Sequence, residues 1–269
     1  MNIACSTTVG YKQELESVLH SIQENGFSTV DLLAIHGWAH INPEDLADQG
    51  EAGYDRITDL LTRYQLTPIA LNIGTRTDLH DRAPEAIASR KREMQAMIQL
   101  MNKLSVSIAV IQPRARDASR PYADVVRDCA ATWKEMQAIA VPSGVELALE
   151  LHVFSPFEML DQARALIELV PDLKVVYDPS HLVMQGVPLR ETEWLMDRSI
   201  YVHLRDAAYG HMQTRLGQGS VDFEWIFHAL RRRSYSGPVS IEYLQDDQYD
   251  AFEDVRRLKT MVEQGLFHT

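Results

Sequence analysis

The stretch Lys174-Val-Val-Tyr-Asp-Pro-Ser-His181 indicates the fold and locates the other chemically active residues. The β-branched and aromatic side chains at 175–177 favour a buried strand. Pro179 cannot donate a hydrogen bond to a neighbouring strand, so the strand is expected to end at Asp178. His181 follows closely enough to face the same cavity as that carboxylate. The stretch therefore predicts a strand that carries polar side chains at its carboxyl end.

Three other strand-like runs also end in acidic or imidazole side chains. They are VELALELH with Glu150 and His152, IYVHLRD with His203 and Asp206, and PVSIEYL with Glu242. The intervals between Glu150, Asp178, His203 and Glu242 run from 25 to 39 residues, which fits one strand, loop and helix per interval. Each strand end is thus expected to contribute about one side chain to a shared site.

Short apolar runs alternate with segments of helical period along the whole chain. Besides the opening stretch, the predicted strands are 3–8, 29–35, 67–73, 106–112, 145–151, 199–204 and 238–243. The predicted helices are 12–25, a stretch that includes 54–64, 84–104, 122–140, 156–170, 188–197, 223–233 and 249–264. About eight strand–helix units predict an α/β fold, a single (β/α)8 TIM barrel that forms one domain over residues 1–269.

An open doubly wound sheet is the alternative fold. It would usually show a glycine-rich phosphate turn after the first strand, and Thr7–Gly10 contains one glycine. The closed barrel is therefore favoured.

Composition limits the classes of partner and compartment. The formal net charge of −12 argues against general binding to nucleic acid or anionic membranes, because an acidic field repels phosphates. Cys5 and Cys129 are too few for a disulfide framework and form no zinc pair. The N-terminal segment does not resemble a signal peptide, and no run of ~18 apolar residues occurs. We therefore expect a soluble, cytoplasmic protein whose partner is a small-molecule substrate.

The four strand-end residues Glu150, Asp178, His203 and Glu242 are expected at the end of the barrel where active sites of this fold lie. Singly, each could cap a helix or form a salt bridge. Three converging carboxylates would repel one another unless a cation neutralised them, so the set predicts one divalent metal ion. Mixed oxygen and imidazole ligands suit Mn²⁺, Co²⁺, Mg²⁺ and Zn²⁺ alike.

The chain resembles the xylose isomerase-like TIM barrels over nearly its whole length. The resemblance is carried by the ELH, DPSH and VHLRD boxes, the segment LGQGSVDF at 216–223 and the ending GPVSIEY. This family includes sugar and sugar phosphate isomerases and epimerases, hydroxypyruvate isomerase, inosose-converting enzymes, some dehydroshikimate dehydratases and endonuclease IV. The resemblance implies that Glu150, Asp178, His203 and Glu242 bind one metal ion and that His181 contacts substrate. Family members are often dimers or tetramers, which makes a homo-oligomer an option for this chain.

The resemblance also implies a reaction in which the metal stabilises an enediolate. Glu150 and Glu242 could then reach opposite faces of a ketose, one removing a proton and the other returning it. Return to the same carbon gives epimerisation, and return to its neighbour gives isomerisation. Loss of a β-hydroxyl would instead give a dehydratase of the inosose or dehydroshikimate type, and the sequence does not choose. The two intact glutamates disfavour a non-catalytic sugar-binding barrel.

An endonuclease IV-like phosphodiesterase is a further alternative. Such enzymes bind three zinc ions and need histidines at the ends of earlier strands. Here Gln112 ends the fourth predicted strand, and His211 and Gln213 stand where Asp and His would be expected. Together with the acidic net charge, these departures disfavour an activity on DNA.

Several loops after predicted strands carry arginines that could bind substrate, namely Arg76, Arg114, Arg116, Arg205 and Arg215. Guanidinium groups grip carboxylate or phosphate with two hydrogen bonds, which predicts a small anion or a polyol-like carbonyl compound as substrate. The alternative is that these arginines pair with the many Asp and Glu side chains. The predicted substrate contacts are His181, Arg205, His152, Arg114, Trp38 and His36. For His36 and Trp38, packing within their loop is the alternative.

Overall fold

Eight parallel strands close into a barrel in the computed structural model, which describes residues 2–267. In chain order the strands are β1 (Ile3–Ser6), β2 (Thr29–Ile35), β3 (Ala39–His40), β4 (Thr67–Gly74), β5 (Ile108–Ile111), β6 (Glu146–Glu150), β7 (Lys174–Tyr177), β8 (Ser199–Leu204) and β9 (Val239–Ile241). The short β3 pairs antiparallel with β2 outside the ring. The other eight follow one another in chain order, and β1 pairs with both β2 and β9, which closes the ring.

Helices surround the barrel. They are α1 (Leu15–Glu24), α2 (Pro43–Gln49), α3 (Glu51–Arg63), α4 (Pro84–Leu104), α5 (Tyr122–Ala140), α6 (Leu160–Leu169), α7 (Pro179–Met184), α8 (Phe223–Arg232) and α9 (Ala251–Phe267). Within residues 2–267, three 3-10 segments join strands and helices, namely Thr7–Gly10, Val141–Ser143 and Leu189–Arg198. The fold is thus a (β/α)8 TIM barrel, as predicted. No helix within residues 2–267 is long and apolar enough to cross a bilayer.

A small apolar layer fills part of the barrel interior. It is formed by Ala70, Val110, Ala148, Val176 and Tyr201, all buried, from consecutive strands β4 to β8. Ala148, Val176 and Tyr201 stand two residues before Glu150, Asp178 and His203, and side chains two residues apart on a strand point to the same face. The layer therefore supports the polar strand ends from below, as layered side chains do in such barrels.

Element boundaries differ from the prediction mainly at strand ends. The first strand stops at Ser6 because Thr7–Gly10 turns into a 3-10 segment, in which the Ser6 hydroxyl accepts a hydrogen bond from the Thr8 amide. The loop after β2 contains the unpredicted strand β3, and the segment expected as helix 188–197 is a 3-10 segment. The predicted domain bounds 1 and 269 lie outside the described residues.

Candidate metal centre

The carboxyl ends of four neighbouring strands bring together the four predicted ligands. Glu150 is the last residue of β6, Asp178 follows β7, His203 lies in β8 and Glu242 follows β9. One donor atom from each lies within 4.8 Å of the others, and all four side chains are buried. Parallel strands that run in register explain this convergence, because their ends meet at one rim of the barrel.

Asp178 both caps helix α7 and belongs to the four-residue cluster. Its Oδ1 accepts hydrogen bonds from the Ser180 amide (2.8 Å) and hydroxyl (2.6 Å), which caps α7. Pro179 occupies the first helical position, where its missing N–H costs nothing. The cap leaves Oδ2 free to face the site, so the DPSH box fixes the orientation of the carboxylate.

The two ring nitrogens of His203 face different neighbours. Nδ1 lies 3.3 Å from Glu150 Oε1 and 3.1 Å from Glu242 Oε2. Nε2 lies 3.4 Å from Oδ2 of Asp31, a fully buried residue of β2 on the other side of the barrel. Nδ1 is therefore the nitrogen that can bind a metal ion together with the glutamates.

Arg205 lies inside the cluster and not on its rim. Its Nη2 donates to Asp178 Oδ2 at 3.1 Å and its Nη1 donates to Glu242 Oε2 at 3.0 Å. A further hydrogen bond of 3.0 Å runs from Nη2 to His181 Nε2. The guanidinium is buried, so these contacts are shielded from water. Arg205 thus holds two of the four predicted ligands and one predicted substrate contact.

The neighbours shift the acidity of the cluster. Burial raises the pKa of Glu150, but the neighbouring imidazoles of His181 and His203 outweigh it and hold that pKa well below its ordinary value. Burial likewise opposes ionisation of Asp178, and the Arg205 charge brings its pKa below the ordinary value. Burial disfavours the charged form of His203, yet the Glu242 charge and Asp31 raise its pKa well above the ordinary value. Each shift favours a charged side chain.

The residues present fit a divalent cation. Glu150, Asp178 and Glu242 carry three negative charges when ionised and Arg205 carries one positive charge, so a divalent ion would bring the sum to zero. Glu150 Oε2 and His203 Nδ1 are buried polar atoms without a hydrogen-bond partner. Unpaired buried polar atoms are costly, and an ion at this place would satisfy them.

His152 and His181 form the wall beside Glu150. Their rings are 4.2 Å apart, and His181 Nε2 lies 3.8 Å from Glu150 Oε1. His152 Nδ1 donates to the Val153 carbonyl at 2.7 Å, which leaves its Nε2 as an acceptor. His152 is half-buried, whereas His181 is fully buried. Donor atoms of Glu150, His152 and His181 also lie within 4.8 Å of one another.

The other predicted substrate contacts have different neighbours. His36 Nδ1 lies 3.2 Å from Asn42 Oδ1, and the exposed Trp38 packs its ring on Tyr11 at 5.1 Å. Arg114, at a positive φ of 58°, is 3.8 Å from Asp78. Within the described residues, no hydrogen bond or salt bridge joins His36, Trp38 or Arg114 to the four-residue cluster. Their substrate roles stay predictions.

The remaining arginines are also paired with acidic side chains. Arg76 binds Glu44 at 2.8 Å, Arg116 binds Glu158 at 2.8 Å, and Arg215 binds Glu253 and Asp254 at 2.7 Å each. These contacts match the alternative interpretation, in which the arginines pair with Asp and Glu side chains and do not bind substrate.

Asp206 holds a loop beside the site, a role that the sequence did not predict. Its carboxylate accepts hydrogen bonds from the amides of Gly217 (2.8 Å), Gly219 (3.0 Å) and Ala207 (2.9 Å). It thereby ties the Gly-Gln-Gly turn to the end of β8, directly beside Arg205. The VHLRD segment and the two glycines were the sequence features that could have predicted this contact.

Gln213 connects another pair of loops. Its side-chain amide donates to the Leu244 carbonyl and accepts from the Leu244 amide.

Comparison with known proteins agrees with the barrel fold. A family model described as xylose isomerase-like TIM barrel matches residues 19–261. The inosose isomerase of Halalkalibacterium halodurans is 23% identical over 245 residues, which covers 86% of this chain and 83% of that protein. The inosose isomerase of Bacillus velezensis is 22% identical over 255 residues, with coverage of 87% and 89%.

Solved structures share the fold over nearly the full chain. A D-tagatose 3-epimerase-like protein superposes with a TM-score of 0.77 at 20% identity, covering 98% of this chain and 97% of that one. The IOLI protein, solved with a bound zinc atom, superposes with a TM-score of 0.75 at 19% identity, with coverage of 99% and 98%.

Proposed function

Because the chain belongs to the xylose isomerase-like TIM barrel family, we propose that it moves a proton at the carbon beside the carbonyl of a neutral sugar or keto-polyol. At the coarser level it is an enzyme of the sugar isomerase and epimerase type, as its named relatives are. The observation that carries the proposal is the buried convergence of Glu150, Asp178, His203 and Glu242.

These four side chains would hold one divalent ion of the Mn²⁺, Co²⁺, Mg²⁺ or Zn²⁺ class. When bound, such an ion supplies Lewis acidity that makes the C–H beside a substrate carbonyl easier to deprotonate. Arg205 fixes Asp178 and Glu242 in place before the ion arrives. Preorganised ligands bind a metal without the cost of ordering them first.

Glu150 and Glu242 are proposed as the two proton carriers. They lie on β6 and after β9, three strands apart around the ring, so their carboxylates approach a shared cavity from different directions. The lowered pKa of Glu150 keeps this carboxylate ionised in the metal-free protein. One carboxylate would remove the proton and the other would return it to the same carbon or to its neighbour.

A neutral substrate fits the charge distribution better than a phosphate or carboxylate. Arg205 already donates from Nη1 and Nη2 to Glu242 and Asp178, and Arg76, Arg116 and Arg215 are paired with carboxylates. An anionic substrate would have to break one of these pairs to gain a guanidinium partner. The polar wall of His152 and His181 suits hydroxyl groups, which both donate and accept hydrogen bonds.

The test is turnover on a panel of ketoses, inososes and keto acids with Mn²⁺ added. We expect epimerised or isomerised products from neutral substrates, and a dehydrated product would identify a lyase. The variant Arg114→Met should change KM similarly for acidic and neutral sugars. A selective loss of affinity for acidic sugars would contradict the neutral class, and absence of turnover with every compound would favour a binding protein.

A further inference from the structure

A buried carboxylate stands behind the predicted histidine ligand. Asp31 is fully buried in strand β2, where its neighbours Val30 and Leu32 to Ile35 are all apolar. Within the described part of the chain, no lysine or arginine forms a salt bridge with it. An ionised carboxylate in this position needs hydrogen-bond donors from other side chains.

Two side chains are placed to supply these donors. Asn72 of β4, also fully buried, donates from Nδ2 to Asp31 Oδ1 at 2.9 Å. Oδ2 faces His203 Nε2 at 3.4 Å, and neither atom has another hydrogen-bond partner. Asn72 thus fixes the carboxylate so that its second oxygen points at the imidazole. The two unpaired atoms can satisfy each other with a small approach.

The plane of the imidazole is held as well. Tyr201, two residues before His203 on β8, packs against its ring edge to face, with centroids 4.9 Å apart and an angle of 79° between the planes. This contact restricts rotation of the imidazole ring. Its Nδ1 is left facing Glu150 and Glu242.

We propose that Asp31 is a positioning residue that accepts the Nε2 proton of His203 and so presents the Nδ1 lone pair to the metal ion. This inference rests on the proposed metal-dependent function. A carboxylate behind a histidine ligand fixes the tautomer and ring orientation and raises the basicity of the ligating nitrogen. Asp31 itself touches neither the ion nor the substrate.

The first test measures metal affinity and not turnover. The variant Asp31→Asn keeps the shape of the side chain but removes the negative charge, and its Kd for Mn²⁺ should rise by about 10- to 100-fold. Glu93→Gln is the matched control, because Glu93 is another buried carboxylate, bound to the Arg76 amide and the Ser89 hydroxyl. Its Kd should stay at the wild-type value. A folded Asp31→Asn protein with wild-type affinity would overturn the proposal.

The second test uses the metal-free wild-type protein and does not depend on the variant's folding. Nitrogen-15 NMR, recorded at a pH high enough for the imidazole to be neutral, should show that His203 keeps its proton on Nε2, with a downfield Nε2–H resonance assigned by its loss in His203→Gln. An unprotonated Nε2 would refute the proposal. If the protein bound no Mn²⁺, the proposed function would fail, while this spectrum would still decide the pairing of Asp31 with His203.

Discussion

Arg205 and Asp178 form a buried ion pair with 3.1 Å between Nη2 and Oδ2, although Asp178 is a predicted metal ligand. The same guanidinium also binds Glu242. Arg205 therefore compensates part of the ligands' negative charge, and the remainder is left for the metal ion. The Arg205 guanidinium and the metal ion should each neutralise part of the negative charge of the ligands. Loss of Arg205 should therefore make the stability of the fold depend more on bound metal.

We predict that Arg205→Met lowers the free energy of unfolding of the metal-free protein by about 3–5 kcal/mol, because it leaves buried carboxylates unpaired. Saturating Mn²⁺ should raise the melting temperature of this variant more than that of the wild type. Arg116→Met is the control, since the pair of Arg116 with Glu158 is largely exposed on the arginine side and should contribute under ~1 kcal/mol. Equal metal-induced shifts in both variants would refute the charge-compensating role.

Glu150→Gln and Glu242→Gln should each lower the rate of proton transfer by about 10²- to 10⁴-fold, because an amide cannot accept the proton. Exchange of the substrate C–H in D₂O measures this step directly. Metal affinity must be measured in parallel, because both residues are also proposed ligands. Exchange at the wild-type rate in either variant would remove that glutamate from the mechanism.

The chemistry at the strand ends could be predicted from sequence because two local signals coincide there. A β-branched run marks the strand, and Asp178-Pro179 marks its end. Parallel strands then place successive ends on one rim, which is why the four predicted ligands meet. Period-two alternation also places Arg205 on the same strand face as His203. The pattern does not give the partners of that guanidinium, which are two of the predicted ligands, Asp178 and Glu242.

Asp31 shows a different limit. An aspartate in the run TVDLLAI is a visible anomaly, since carboxylates are rarely buried without a partner. Its partner Asn72 lies on the neighbouring strand β4 and its partner His203 on the distant strand β8, and a cross-barrel contact such as the one with His203 has no signature in sequence spacing. Asp206 could be predicted in part. Its position at a strand end was recognised from the sequence, but its hydrogen bonds to the Gly217 and Gly219 amides depend on the conformation of the loop.

Gly219→Ala should destabilise the protein by about 1–3 kcal/mol, a typical cost of inserting atoms into a packed site. A Cβ at this position would clash with the Asp206 carboxylate and lie 2.5 Å from the Ala207 carbonyl oxygen. Because Asp206 adjoins Arg205, activity should fall together with stability. Urea unfolding and turnover measure the two effects.

Gly144→Ala is a suitable control for this substitution. Gly144 has a positive φ of 71°, and no atom lies within 4 Å of the place that a Cβ would occupy, so only its backbone conformation opposes a side chain. It should lose stability by ~1 kcal/mol without loss of activity. Full activity in Gly219→Ala would show that the turn does not position Arg205.

Metal binding should release a proton from His203. Burial opposes the charged imidazole, but the Glu242 charge and Asp31 raise the pKa of His203 well above its ordinary 6.5 in the metal-free protein. The metal requires the Nδ1 lone pair, so the proton at Nδ1 must leave. Isothermal titration with Mn²⁺ at pH 7 in buffers of different ionisation enthalpy should therefore detect release of about one proton. The low pKa values of Glu150 and Asp178 mean that neither contributes to this release.

The same shift sets the pH dependence of stability. A raised pKa in the folded state stabilises the metal-free protein fully below the unfolded value of 6.5, and this contribution is lost as the pH rises through the folded pKa. The metal-loaded protein lacks this dependence, because its Nδ1 carries no proton. The stabilisation gained from Mn²⁺ should therefore grow as the pH rises above 6.5, which thermal unfolding at a series of pH values can measure. Metal-induced stabilisation that stays constant over this range, together with no proton release at pH 7, would show that His203 is already neutral in the metal-free protein.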